Sequence, residues 1–365
     1  MRAVVTIPVR DEEALIASCL RALLRQRDRN GSPPTSFTFG IVLLFNNCTD
    51  RSADVARACL AGSGVPFMIC EEQLSPERAN AGSARRLAMD IAALWMERAG
   101  EPDGLLLTTD ADSRVPDDWV ARNLGALKAG TSAVAGRIHW DRRPAAAMPA
   151  SLLNRIALEE AYEARLAELA ARIDPLAHDP WPNHRTASGA SYAVTLDAYR
   201  AIGGLPDIPC GEDRALARAL ERRDLRIRHA PDITVLTSTR LQGRALGGAA
   251  DTLNARSEDP DLAGDPALEP VATVARRYSW RRRLRDLHGA RKLGSAGHWL
   301  GGLRLAPKAR EWAAEPHFGS FWAKVEEASP LLRQRGLRPS ELPAQIAAAD
   351  FLLSPDQTAS RQSSR

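Results

Sequence analysis

The sequence predicts an α/β domain with a mostly parallel central sheet flanked by helices, followed by a helical C-terminal extension. Two observations carry that expectation. Short apolar runs alternate with helical patterns through the first half, and the runs are continuously apolar, as strands covered on both faces must be. The stretches between them repeat apolar residues at three- and four-residue steps, the spacing of one helix face. In doubly wound sheets of this kind, ligands bind beyond the carboxyl ends of the strands.

Taken in order, "AVVTIPV" (3–9), "FGIVLLF" (39–45), "PFMIC" (66–70) and "GLLLTT" (104–109) read as buried strands. "EEALIASCLRALLRQ", "SADVARACLAG" and "SARRLAMDIAALWMERAG" read as the helices between them. A further strand follows at "SAVAGRI" (132–138), then an Ala/Glu/Arg-rich helix over 151–173 and a loop, "DPLAHDPWPNH" (174–184). "SGASYAVTLDAYRAIGG" reads as strand then helix, "EDRALARALERR" as a helix, and "LRIRHAPDITVLTST" as a strand pair. From about Gly247 the chain turns polar. Residues 247–270 read as a linker or flexible loop, 271–353 as the helical extension, and 354–365 as a frayed tail.

A chain of 365 residues can bury a sizeable core, and 44% hydrophobic with 26% charged residues fits a globular protein rather than a disordered one. A net charge of +4 calls for no nucleic-acid partner. Five cysteines, an odd number without C-x-x-C spacing, argue against a disulfide framework or structural zinc and favour a reducing compartment. No leader of basic start, apolar core and small-residue site opens the sequence. Nor does any run approach the roughly 20 apolar residues of a membrane helix, so the expected location is cytoplasmic.

Chemistry gathers where strands end. Asp110 and Asp112 close the apolar run "GLLLTT", where a carboxylate is costly without a cation or donors. In an extended segment such residues project to one side, and together they supply oxygen ligands to a hard divalent cation that also bridges phosphates. The chain's other Asp-x-Asp, Asp259-Pro-Asp261, reads as solvated loop. The first strand opens into "PVRDEE" (8–13) and the second into "NNCTD" (46–50). Asp11, Asp50 or Ser52 could each cap a helix, but capping does not explain polar clusters at three strand ends, which imply a shared ligand. Asp213, at a helix start after "PDIPCG", is either an acid complementing the helix dipole or a functional base.

"IPVRDEE", "NNCTDRSADVA", "AGSARRLAMD", "TTDADS", "SGASYAVTLDAYRAIGGLP" and "GEDRALARAL" resemble, in order and approximate spacing, the family 2 glycosyltransferases and their relatives with the GT-A fold. The resemblance covers about residues 1–245. It implies a GT-A domain over 1–246, with a nucleotide-sugar half to about 115 and an acceptor half from 116. It also implies that Pro8, Arg10 and Glu12 line the nucleotide pocket, that Asp50 holds the base with Asn47 nearby, and that Arg85 lies near the nucleotide. Asp110 would touch the ribose or the metal, and Asp112 would coordinate magnesium or manganese on the diphosphate. Glu212 and Asp213 would be the Glu-Asp pair whose aspartate acts as base in inverting members.

The implied activity is metal-dependent sugar transfer from a nucleoside-diphosphate sugar to an acceptor hydroxyl. A retaining outcome stays open. A sugar-nucleotide pyrophosphorylase, expected to carry a glycine-rich loop where "PVRDEE" has none, and a non-catalytic nucleotide-binding module are weaker readings. The sequence departs from the family in lacking a histidine in "TSTRLQGR" (237–244), because His229 comes too early. Arg240 and Arg244 could bind diphosphate instead, or be surface charges. No Gln-x-x-Arg-Trp pattern or membrane helix of processive synthases is present, which favours single sugar addition to a soluble or lipid-surface acceptor. Trp181, between prolines in "HDPWPNHR", reads either as a stacking platform for a sugar ring or as a hydrophobic plug. The basic run 276–292, eight Arg/Lys against one Asp, reads as a contact for anionic lipid or a phosphorylated acceptor, or as a solvated helix face.

Overall fold

Seven strands form one mixed sheet in the order β3-β2-β1-β4-β6-β5-β7, seen in a computed structural model that describes residues 2–32, 39–127, 130–141, 148–240 and 248–354. The strands are β1 (Ala3–Val9), β2 (Phe39–Asn46), β3 (Phe67–Glu72), β4 (Leu105–Thr108), β5 (Ala133–Trp140), β6 (Tyr192–Thr195) and β7 (Ile227–Thr237). Only β6 runs against its neighbours β4 and β5; every other pairing is parallel. The carboxyl ends of the other six strands therefore share one edge, and the loop entering β6 ends at that edge.

The continuous apolar runs of β1, β2 and β4 follow from cover on both faces. By contrast, "PFMIC", expected as a buried strand, forms the edge strand β3, with no buried residue and Phe67 40% exposed. In β1 and β2, Val5, Ile7, Ile41 and Leu43 join one core with Ile16, Cys19, Leu20 and Leu23 of α1 (Ile16–Leu24). Their neighbours Val4, Val42 and Leu44 join the opposite core with Ala84, Ala88, Met89, Ala92 and Met96 of α3 (Ala81–Arg98). Successive side chains face opposite layers, so neither face can be polar. Asn80 caps α3 by accepting from Ser83 N at 2.8 Å. The helices α2 (Ser52–Leu60), α4 (Trp119–Ala126), α6 (Leu196–Ala201) and α7 (Glu212–Arg222) complete the flanking layers.

Three further local expectations are corrected. "LRIRHAPDITVLTST" is one strand rather than a pair: β7 pairs β5 throughout, with a register jump between Gly136↔Ala230 and Arg137↔Thr234 that absorbs Pro231, Asp232 and Ile233. Asp110 and Asp112 do not lie in extended chain; β4 stops at Thr108, and Ser113 N donates to Asp110 O at 3.0 Å to close a turn. Within 247–270, where a linker was expected, α8 (Ala249–Glu258) forms.

The described residues divide into two compact units, one within Met1–Ala147, Thr186–Leu220 and Leu225–Thr252, the other within Met148–Arg185, Glu221–Asp224 and Leu253–Arg365. The first holds the sheet. In the second, α5 (Ala150–Ile173), α9 (Val271–Gly289) and α12 (Leu342–Leu353) pack around Tyr162, Leu166, Val274 and Ala349. A further core joins Leu284 to Trp299 of α10 (His298–Gly302) and to Phe321 and Val325 of α11 (Phe318–Ala328). The helix over 151–173, expected within the acceptor half, thus belongs with the C-terminal helices.

The basic run is largely committed inside this second unit. Arg277 holds the fully buried Glu269 through Nε–Oε1 at 2.9 Å and Nη2–Oε2 at 2.7 Å. Arg281 and Arg285 face the buried Asp174, and Arg282 Nη1 donates to Ile173 O at 3.2 Å. A carboxylate removed from water needs such counter-ions. Arg276, Arg283, Arg291 and Lys292 are exposed, Arg276 donating from Nη1 to Leu331 O at 3.3 Å and Arg283 lying over the Trp280 ring. Among the described residues no helix is long and apolar enough to cross a membrane.

Candidate active site

The shared strand edge of the first unit carries the polar residues, in two clusters. The first ties the ends of β1 and β2 together. Asp11 Oδ1 accepts from Thr49 N at 2.7 Å and from Asp50 N at 3.3 Å. Asp50 Oδ1 accepts from Ser52 N at 2.9 Å, and its Oδ2 accepts from Glu13 N at 2.9 Å. Asn47 is locked to the entry of the next loop, with Nδ2 donating to Leu74 O at 3.0 Å and Oδ1 accepting from Leu74 N at 3.1 Å. Asp11 and Asn47 both have φ of 51°, a backbone region that Asp and Asn tolerate better than other side chains. Pro8 is half-buried near the end of β1, and Arg10 Nη1 donates to Ala79 O at 2.5 Å. Asp11, Cys48 and Asp50 place three ligand atoms within 4.8 Å of one another, the one such group among the described residues. Both carboxylates are already engaged by backbone N–H groups, as loop-organising and capping acids are.

The second cluster is centred on Arg85 of α3, which is only 5% exposed. Its Nε donates to Glu212 Oε1 at 2.9 Å, and its Nη2 to Asp110 Oδ1 at 2.7 Å. Nη1 donates to Thr108 Oγ1 at 2.6 Å and to Gly189 O at 3.1 Å. One guanidinium therefore joins the end of β4, the loop before β6 and the start of α7. Gly189 N in turn donates to Asp213 Oδ2 at 3.1 Å, and Arg214 N donates to Asp213 Oδ1 at 2.7 Å. Glu212 is buried and spent on Arg85, whereas Asp213 is only partly covered. Burial, then the neighbouring Glu212 charge, raises the Asp213 carboxyl above its ordinary value against the pull of the two N–H groups and Arg85.

Arg240, past the end of β7, closes the other side. Its guanidinium pairs with both oxygens of the buried Glu12, and its Nη2 lies 3.4 Å from Asp112 Oδ2. Glu12 N donates to Ser52 Oγ at 2.7 Å, which links this side to the first cluster. The Asp112 side chain is 18% exposed. Burial and the Asp110 and Glu12 charges push its carboxyl up to about 7, against the pull of Arg240. Asp110 is more exposed, and its Oδ2 accepts no hydrogen bond among the described residues. Two carboxylates with open oxygens, one of them costly to ionise as it stands, are a donor set suited to a hard divalent cation. Arg244, the other candidate diphosphate ligand, lies outside the described residues.

Sequence reading missed Gly189. A Cβ there would stand 2.4 Å from Arg85 Nη2 and 2.5 Å from its Cζ, so the guanidinium packs flat where a side chain would be. The small-residue run "SGAS" was the available sign. Gly189→Ala is expected to cost about 1–3 kcal/mol, the range for overpacking, because Arg85 cannot yield without releasing buried Glu212. Chemical denaturation checks this, and an unchanged midpoint would show that Arg85 is not confined.

No family model and no curated protein matches the chain. Solved structures do. S. aureus TarS 1–349 in complex with UDP-GlcNAc matches at 13% identity over 100% of this chain and 92% of that one, with a TM-score of 0.48. The mannosyltransferase PcManGT from Pyrobaculum calidifontis, in complex with GDP-Man and Mn2+, matches at 15% identity over 98% and 82%, with a TM-score of 0.42. A mycobacterial protein matches at 18% identity over 70% and 71%, with a TM-score of 0.37.

Proposed function

We propose that the first unit is a metal-dependent GT-A glycosyltransferase domain of the family 2 type. It would move a sugar from a nucleoside-diphosphate donor to an acceptor hydroxyl with inversion. The observation that carries this reading is the Arg85 network, which joins a carboxylate pair beyond β4 to a second acidic site at the start of α7. Asp110 and Asp112 would hold the divalent cation, and that cation would neutralise the charge developing on the departing diphosphate. Asp213, fixed by two N–H donors, would take the proton from the acceptor hydroxyl as its oxygen bonds to the anomeric carbon and the bond to the diphosphate breaks. Glu12, Arg240 and the residues of "PVRDEE" and "NNCTD" would line the donor pocket. Glu212 and Arg85 act as positioning residues in this scheme, not as reacting groups. The acceptor would be a small molecule, glycan or lipid-linked hydroxyl.

A thermal-shift screen of nucleotide sugars with and without manganese tests the donor site. A matching donor stabilises the fold by about 2.7 kcal/mol at one hundred times its Kd. No shift with any nucleoside diphosphate or its sugars contradicts the site. Asp213→Asn is expected to keep that donor shift while transfer falls by about 10²–10⁴-fold, the usual contribution of a positioned base. The raised Asp213 carboxyl must ionise to accept a proton, so wild-type transfer should fall as pH drops through its raised value. Product retaining the donor's anomeric configuration would overturn the base assignment.

A further inference from the structure

The second unit contains an open cavity of about 440 Å³ that the proposed chemistry does not use. Its size falls in the roughly 300–1,000 Å³ range of small-molecule sites. One wall is Trp181, 45% exposed and the only exposed residue of the chain's eight tryptophans. The floor is built by α5 and the end of α12, and both of its arginines are ion-paired. Arg165 Nε donates to Asp350 Oδ1 at 2.7 Å while its Nη1 donates to Ala161 O at 2.9 Å. Arg172 Nη2 donates to Glu168 Oε1 at 2.5 Å while its Nη1 donates to Leu353 O at 2.8 Å. The loop carrying Trp181 is itself anchored, with Asn183 Nδ2 donating to Asp179 O at 2.9 Å and Asp179 buried.

We infer that this cavity is a binding site for a neutral saccharide. Each guanidinium already holds a carboxylate, so the charges cancel locally and a phosphate or an anionic lipid headgroup finds no uncommitted cation pair. A purely apolar ligand would strip water from two ion pairs and return nothing. A sugar ring satisfies both demands. Its C–H face can stack on the indole, and its vicinal hydroxyls can pair with the planar carboxylate and guanidinium edges of the two ion pairs. The site lies wholly within the second unit and does not rest on the glycosyltransferase reading.

The test uses the intact protein and three neutral probes: maltohexaose, cellohexaose and mannohexaose. In ¹H–¹⁵N spectra, the indole peak missing from Trp181→Phe identifies Trp181. At least one probe is expected to shift that peak saturably, with excess EDTA present, while inorganic phosphate leaves it unmoved. Calorimetry with the same probe should show affinity about tenfold weaker in Trp181→Ala, a loss of about 1.4 kcal/mol. Because Trp181 is exposed, that variant should fold, and its far-UV spectrum and melting point check that it does. No shift with any of the three probes, unchanged affinity in Trp181→Ala, or a shift produced by phosphate would each overturn the inference.

Discussion

Arg85→Met is expected to destabilise the protein by about 3–5 kcal/mol, the cost of leaving a buried carboxylate without its counter-ion. Glu212, with a side chain only 8% exposed, would lose its ion-pair partner, and Asp110 would lose the bond that orients it. Transfer should fall as well, because the same guanidinium sets the loop whose Gly189 N–H holds Asp213. Arg85→Lys should recover only part of either property: an ammonium is a point charge and cannot span Glu212, Asp110 and Gly189 at once. Urea denaturation and initial-rate kinetics separate this role from a direct nucleotide contact. A variant of unchanged stability, with only a raised donor KM, would show that Arg85 serves the nucleotide instead.

Asp112→Asn should move function and stability in opposite directions. Turnover should drop by about 10²–10³-fold, as when a single group stabilising transition-state charge is removed. The metal-free protein should gain about 1–2 kcal/mol at pH 8, because a crowded carboxylate has become neutral. The sign follows from the raised value of about 7 in the fold. An unfolded aspartate ionises near 3.9, so the penalty for ionising Asp112 is absent below about pH 4. It grows as pH rises toward the folded value and is complete above it. The variant and wild type should therefore converge in stability at acid pH and separate at pH 8 in EDTA. Manganese should narrow that gap by stabilising the wild type alone. A variant less stable than wild type at pH 8 in EDTA would show that Arg240 depends on Asp112 more than Asp112 suffers from its neighbours.

The sheet was legible because burial on both faces forces unbroken apolar runs, and β1, β2 and β4 announce themselves that way. The turn at Asp110–Asp112 was not legible in detail, since an apolar run shows where a strand lies but not the residue at which pairing stops. The residue types of the site were readable from their places at strand ends. Their partners were not, because Arg85 meets Glu212 across 127 residues of sequence and Arg240 meets Glu12 across 228. The same limit hid the second unit. Its membership depends on α5 packing against α9 and α12, a long-range choice that periodicity does not encode. The run at 276–292 looked like a cationic surface because its anionic partners, Glu269 and Asp174, stand outside the run.

The central claim, that Asp110 and Asp112 serve a metal-bound sugar-nucleotide donor, is tested most directly by following nucleoside diphosphate release. A panel of nucleotide sugars would be incubated with manganese or magnesium, with and without excess EDTA, for wild type and Asp112→Asn. The expected result is release from a specific donor that EDTA and the substitution each abolish. Release from no donor, or release that neither EDTA nor Asp112→Asn diminishes, would contradict it.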